Sequence, residues 1–435
     1  MKLVHRTGAA FAGFVLVLCA WGLGAQPLPL AKPEQVGMSA QRLAKIGEAL
    51  KKEADDGSFR GAVVMVARKG KLVYQDAVGM QTVSVKMTPD AIFRIYSMTK
   101  PFVSVAAMML VEDGVVQLTD PVSKFLPGFD KLQVSVPGKD AAGSTTYALV
   151  PQERQMTVQD LLRHTSGLAY GEITQNMPVK DGLEKIGVYR KDMDYEARNL
   201  APAEQIEKMA TVPLAFQPGT IWHYSLASDM LGRVVERASG KRLADFLEER
   251  LFKPLKMKDS GFWIPAGKMP RLAESLEKDR FAGRAFPLVD VSAPPKNDSG
   301  GAGGVSTAAD YLRFCQMMLN GGTLDGTRIL SRTTVKLMTS DHLGNFIIQT
   351  PQPGELLLGT KGYSFGLGFA VRTGDGVAGV PGSAGEYMWA GYAGTYFWVD
   401  PKEQVTAVLM TQAASPQRAY FRKLVKQLVY QAITD

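Results

Sequence analysis

The spacing of apolar positions changes along the chain and divides it into regions. From Ser39 to Asp55, Leu43, Ile46 and Leu50 recur at helical spacing, and Gly57 stops the run. The apolar segment "GAVVMVARKGKLVYQDAVG" then predicts two strands joined at Lys69-Gly70. From Ser97 to Asp290 the pattern is mainly helix and loop. Thr157-Val158-Gln159-Asp160 reads as a capping box before "LLRH". Strands return in "YSFGLGFAVRTG" and "EYMWAGYAGTYFWVDPKEQVTAVLMTQ", with a turn near Asp400-Pro401. Ser415-Pro416 caps a last helix whose predicted apolar stripe is Phe421, Leu424, Val425 and Leu428.

Neither set of strands is large enough to stand alone, so the two are expected to meet in one antiparallel sheet. This predicts an α+β fold, a sheet flanked by helices with an all-helical domain inserted. Residues 26–96 and 291–435 form the sheet domain and 97–290 the helical one. Residues 1–25 read as a signal peptide. Lys2 and Arg6 are basic, Ala9 to Ala20 is apolar but short for a membrane span, and Gly22-Leu23-Gly24-Ala25 is a small-residue cleavage site. The expected location is periplasmic or secreted, without stable membrane association after cleavage.

Composition removes some function classes. The formal charge of +8 is spread along the chain, with no run of five basic residues, so no nucleic acid is expected as a partner. Cys19 lies in the leader, which leaves Cys315 alone and excludes an intrachain disulfide. The helical pattern of "ADYLRFCQMMLNGG" predicts a buried thiol. The stretch "NDSGGAGGVST" lacks the Lys-Ser/Thr of a phosphate loop and reads instead as a lead-in to a helix capped at Ser306-Thr307.

The chemistry starts from Ser97-Met98-Thr99-Lys100. A serine and a lysine three apart share one helix face, which suits a serine nucleophile whose base is a lysine. A second match, Ser275-Leu276-Glu277-Lys278, lies in a charge-rich stretch that would leave both side chains solvated. Ser97 leads instead into the apolar run "PFVSVAAMMLV", where burial disfavours an ammonium. The one Gly-x-Ser-x-Gly match, Gly362-Tyr363-Ser364-Phe365-Gly366, overlaps the strand-rich stretch "YSFGLGFAVRTG" and is not followed by the helical pattern of a nucleophile elbow. Of the histidines, His164 in "LLRHTSGL" reads as structural, and His223 sits beside Tyr224. Tyr224 in "QPGTIWHYSLASDMLG" is placed to relay a proton. In Trp389-Ala390-Gly391 the glycine permits close backbone approach, and the Tyr392 N–H becomes an oxyanion donor with that of Ser97.

These motifs in this order resemble the serine β-lactamase and penicillin-binding superfamily. They are more similar to the class C β-lactamase-related proteins, and within those to the family VIII carboxylesterases. The resemblance implies the β-lactamase/transpeptidase-like fold, with Ser97 acylated, Lys100 and Tyr224 sharing proton transfer, and no metal or organic cofactor. Class C β-lactamases carry Tyr-x-Asn and Lys-Thr-Gly, where this chain has Leu226 and Trp389-Ala390-Gly391. The missing cation points to a small neutral ester as substrate, with short acyl chains and weak β-lactam hydrolysis. Trp389, Gly391 and Tyr392 are the expected substrate-binding residues. A class C-type β-lactamase or a D-alanyl-D-alanine carboxypeptidase is the rival reading. Arg372-Thr373-Gly374 reads as a strand running into a turn, not as a substitute for Lys-Thr-Gly.

Overall fold

The computed structural model describes residues 28–189, 197–349 and 351–435. The expected leader and Cys19 lie outside them. Strands from the two ends of the chain form one seven-stranded sheet. They are β1 (Gly61–Arg68), β2 (Lys71–Gly79), β3 (Tyr363–Phe365), β4 (Ala370–Arg372), β5 (Tyr387–Ala390), β6 (Tyr396–Asp400) and β7 (Val405–Thr411). The spatial order is β3-β4-β5-β6-β7-β1-β2, antiparallel throughout. The turn between β1 and β2 is Lys69-Gly70, both at positive φ, which matches the right-handed twist of the strands it joins.

β1 joins the halves: Ala62 pairs with Thr411 and Arg68 with Val405, across more than 300 residues of sequence. All eight of its residues are buried, as a central strand covered on both faces requires. α1 (Ala40–Asp55) covers one flank through Leu43, Ile46 and Leu50, and Ser39 caps it. α4 (Ala308–Leu319), capped by Thr307, packs against β1, β6 and β7 and buries Cys315. Between the two halves lie α2 (Thr99–Glu112) and α3 (Ala227–Ser239), packed on each other. The capping box at Thr157-Asp160 is present.

Two differences from the sequence pattern are informative. The middle region is not all helical, since Gln133–Lys139 and Thr145–Pro151 form a two-stranded antiparallel ribbon, most of it exposed. The last helix, α5 (Arg418–Tyr430), buries Phe421, Arg422, Val425, Lys426 and Val429. Its inward face is therefore turned from the predicted stripe. Arg422 and Lys426 find partners inside, so two cations occupy positions that hydropathy assigns to solvent.

Candidate active site

Ser97 sits in a single 3-10 turn, Tyr96–Met98, that feeds directly into α2. Tyr96 has φ +44°, a left-handed backbone conformation that costs a non-glycine residue about 1–3 kcal/mol. Several bonds hold the turn in that state. Ile95 N donates to the Gly304 carbonyl at 2.9 Å, and Thr99 Oγ1 donates to the Tyr96 carbonyl at 2.6 Å. Gly304 N donates to Thr99 Oγ1 at 2.9 Å, and the Tyr311 hydroxyl donates to the Met98 carbonyl at 2.9 Å. The glycine-rich loop is thus a clamp on the serine turn.

Lys100 is one turn further on and almost completely buried. Its Nζ donates to Ser97 Oγ at 3.2 Å, the Tyr170 hydroxyl at 3.0 Å and the Gly301 carbonyl at 2.7 Å. That uses all three ammonium donors. The Tyr224 hydroxyl donates to Ser97 Oγ at 2.6 Å. Lys100 Nζ also lies 4.6 Å from the Tyr224 ring centroid and 5.4 Å from that of Tyr170. The structure therefore brings Ser97, Lys100 and Tyr224 into one hydrogen-bonded set. Tyr170 and the Gly301 carbonyl join it without having been anticipated. Tyr170 directly follows "LLRHTSGLA", but nothing in that motif points at a residue 70 positions away.

The second copy of the motif is different. Ser275 lies outside any helix, its carbonyl accepts from Arg60, and Lys278 is exposed. Arg372 is also elsewhere: its buried guanidinium donates to the Gly374 and Asp375 carbonyls at the end of β4. No histidine reaches Ser97 among the described residues. His164 is buried behind Tyr224, ring centroids 5.1 Å apart, with Nδ1 3.2 Å from Ser225 Oγ. Burial and the nearby charge of Lys100 hold its pKa well below the ordinary value. His223 packs against Phe216, and burial lowers it to about 4.

Ser97 opens onto a cavity of about 250 Å³. Tyr170, Tyr224, Leu356, Leu357, Ala390 and Tyr392 line much of it. Gly391 and Tyr392 also line it, in the turn after β5. A Cβ on Gly391 would come within 2.3 Å of the Ile95 carbonyl and 2.2 Å of Thr395 Oγ1. Only glycine lets the end of β5 abut the segment that carries Ser97. Trp389 departs from expectation. Successive residues of a strand face opposite ways, and Ala390 takes the cavity side. The Trp389 ring is fully buried, 5.4 Å from the Tyr224 ring and 5.3 Å from that of Phe365. It backs the tyrosine and does not line the cavity.

With this geometry in place, comparison with known proteins adds the relationships. Residues 46–431 match the family model described as Beta-lactamase. Esterase EstB of Burkholderia gladioli is 31% identical over 81% of this chain and 86% of its own. Lovastatin esterase of Penicillium rubens is 28% identical over 83% of this chain and 91% of its own. Among solved structures, EstCE1, described as a hydrolase with promiscuous acyltransferase activity, superposes with a TM-score of 0.72 at 25% identity, over 90% of this chain and 99% of the other.

Proposed function

This chain belongs to the β-lactamase family and is a serine hydrolase of that fold, and from that premise we propose that it cleaves carboxylic esters through an acyl-enzyme on Ser97. The observation that carries the reading is the position of Ser97 Oγ between the Tyr224 hydroxyl and Lys100 Nζ at the wall of an apolar cavity. In the reactive state the Lys100/Tyr224 pair is short of one proton, as the lysine amine or the tyrosine phenolate, and as Oγ attacks the ester carbonyl its proton passes to that vacant position on the pair. The new Oγ–C bond forms, the carbonyl electrons move to oxygen, and the N–H groups of Ser97 and Tyr392 stabilise that oxyanion. Collapse breaks the bond to the alcohol oxygen, which takes the proton back from the pair. Water repeats the sequence in place of the serine and releases the acid.

The small cavity favours short acyl groups. Leu226, at the position of the class C asparagine, is buried and presents no amide to a β-lactam side chain. β-Lactam turnover is therefore a weak side activity in this reading. The test is Ser97→Ala assayed with 4-nitrophenyl butyrate, beside mass mapping of a fluorophosphonate label. Rate loss of several orders of magnitude, with the label on the Ser97 peptide in the unsubstituted protein, is the expected result. Full activity in Ser97→Ala, or a label elsewhere, overturns the reading. Nitrocefin turnover faster than aryl ester turnover would transfer the assignment to a β-lactamase.

A further inference from the structure

The cavity beside Ser97 carries positive charge that ester cleavage does not use. Arg418, the first residue of α5, and Arg422, one turn later, both line it. Both terminal nitrogens of Arg422 are committed to the fold, while its buried Nε has no partner among the described residues. Its Nη1 donates to the Leu357 carbonyl at 3.0 Å and its Nη2 to the Gly391 carbonyl at 2.6 Å. Arg418 is different. It is half-buried, makes one long bond to the Ser415 carbonyl at 3.4 Å, and lies 5.5 Å over the Tyr392 ring. Among the described residues most of its five N–H donors have no protein acceptor. Among the described residues no carboxylate forms an ion pair with either arginine.

The surroundings add to the positive charge. Burial lowers the pKa of both arginines, and the charge on Arg418 helps push Arg422 down to about 9. Arg284 adds a third positive charge acting on the Tyr392 phenol. One acid, Glu172, also lines the cavity; burial raises its pKa, which favours the neutral carboxyl, and it forms no ion pair with Arg418 or Arg422. A partly desolvated guanidinium is normally matched by an anion. Here the cavity, and not the protein, is positioned to supply it.

We propose that Arg418 binds a carboxylate of the substrate, so that the ester this site takes is anionic and not neutral. The inference rests on the ester-cleaving reading and names its substrate class. The cation missing from the third motif is thereby replaced from a different element, the N-terminal turn of α5.

The test uses two pairs of esters that differ by one carboxylate. 4-Nitrophenyl hydrogen glutarate against 4-nitrophenyl pentanoate places the charge in the acyl half, and 4-acetoxybenzoate against its methyl ester places it in the alcohol half. One pair is expected to favour the anionic member by about 10- to 100-fold in kcat/KM, mainly through KM. The pair that does so identifies the half that carries the charge. Arg418→Gln should bring that ratio close to one, whereas Arg418→Lys keeps part of it, and added salt reduces it. Absence of preference in both pairs, or equal losses on both members in Arg418→Gln, overturns the proposal. Calorimetric binding of the anionic ester to Ser97→Ala, with and without Arg418→Gln, gives a readout independent of turnover. If Ser97→Ala still hydrolyses both esters, the assignment of Ser97 fails while the binding comparison still decides on Arg418.

Discussion

Two lysines of this protein are buried in aromatic boxes, and they differ in one respect. Lys100 Nζ lies 4.6 and 5.4 Å from the rings of Tyr224 and Tyr170. Lys426 Nζ lies 4.7 and 4.8 Å from those of Trp398 and Tyr430. Lys426 has a carboxylate: Glu386 accepts from it at 2.8 Å, with both side chains fully buried. Tyr363 and Tyr430 also donate to Glu386, and Tyr430 continues to Asp400. Among the described residues Lys100 pairs with no carboxylate. Its acceptors are two hydroxyls and a carbonyl. Lys100 also stands in the first turn of α2, where the helix dipole opposes a cation. A buried carboxylate fixes the proton on a lysine and makes the pair part of the framework. Without one, the lysine's hydrogen bonds run to neutral oxygens, one of them the serine's own.

The sharpest way to break this comparison is to put the same substitution at both sites. Lys100→Met should reduce kcat on an aryl ester by at least about 1,000-fold. It leaves no carboxylate stranded, so its stability should change by no more than about 1 kcal/mol. Lys426→Met takes the nearest cation from Glu386, leaving Arg372 Nη1 at 3.9 Å and two tyrosine donors, and should cost about 3–5 kcal/mol, while the fraction that remains folded keeps its activity. Adding Glu386→Gln to Lys426→Met should recover part of that loss. Denaturant unfolding beside steady-state kinetics separates the outcomes. A large stability loss in Lys100→Met would mean that this lysine, too, belongs to the framework.

The two tyrosines of the Lys100 box offer a finer division. Tyr224 bonds the serine oxygen itself, whereas Tyr170 bonds the lysine. Tyr224→Phe should lower kcat by about 100- to 10,000-fold, in the range of a lost acid–base group. Tyr170→Phe removes one of three acceptors of Lys100 and should cost about tenfold or less, with a displaced pH–rate profile. Equal losses at the two positions would show that the box acts as a unit and that contact with Ser97 is not what distinguishes them.

What the sequence made legible follows from the length scale of each interaction. Ser97 and Lys100 are three residues apart, so helical geometry alone joins them. The β1–β2 turn was readable from Lys69-Gly70 for the same reason. The third motif located Gly391 and Tyr392 but assigned Trp389 to the substrate. Only the pleat of β5, fixed by pairing such as Trp389 with Phe397, decides which neighbour faces the cavity. The inward face of α5 was misread because hydropathy places Arg422 and Lys426 in solvent, and their partners, Gly391 and Glu386, lie 31 and 40 residues away. The Gly301 carbonyl on Lys100 comes from 201 residues away and has no side-chain signature to find. The ribbon of 133–151 buries only Val134 and Ser135 near one end, so most of it has no buried face to announce a strand.

The smallest expected effect concerns acid. His164 is buried against Tyr224, and both burial and the charge of Lys100 hold its pKa below the unfolded value. His223, next to Tyr224 in sequence, is lowered to about 4. Above pH of about 6.5 both are neutral in the folded and unfolded chains, and their contribution to stability is fully present. As pH falls below that value the unfolded chain takes up protons that the folded chain resists, so stability is lost progressively toward pH 4. The Lys426 box has Glu386 and Asp400 at hand, whereas the Lys100 box has no carboxylate to balance a charged His164. Acid should therefore loosen the catalytic side first. Hydrogen exchange at pH 7 and pH 5 should show earlier loss of protection around residues 164 and 224 than around β5, β6 and α5. His164→Gln should flatten the difference between the two pH values, because it removes the titrating group. If both regions open together at pH 5, the acid sensitivity belongs to the whole fold and not to the lysine that lacks a counter-ion.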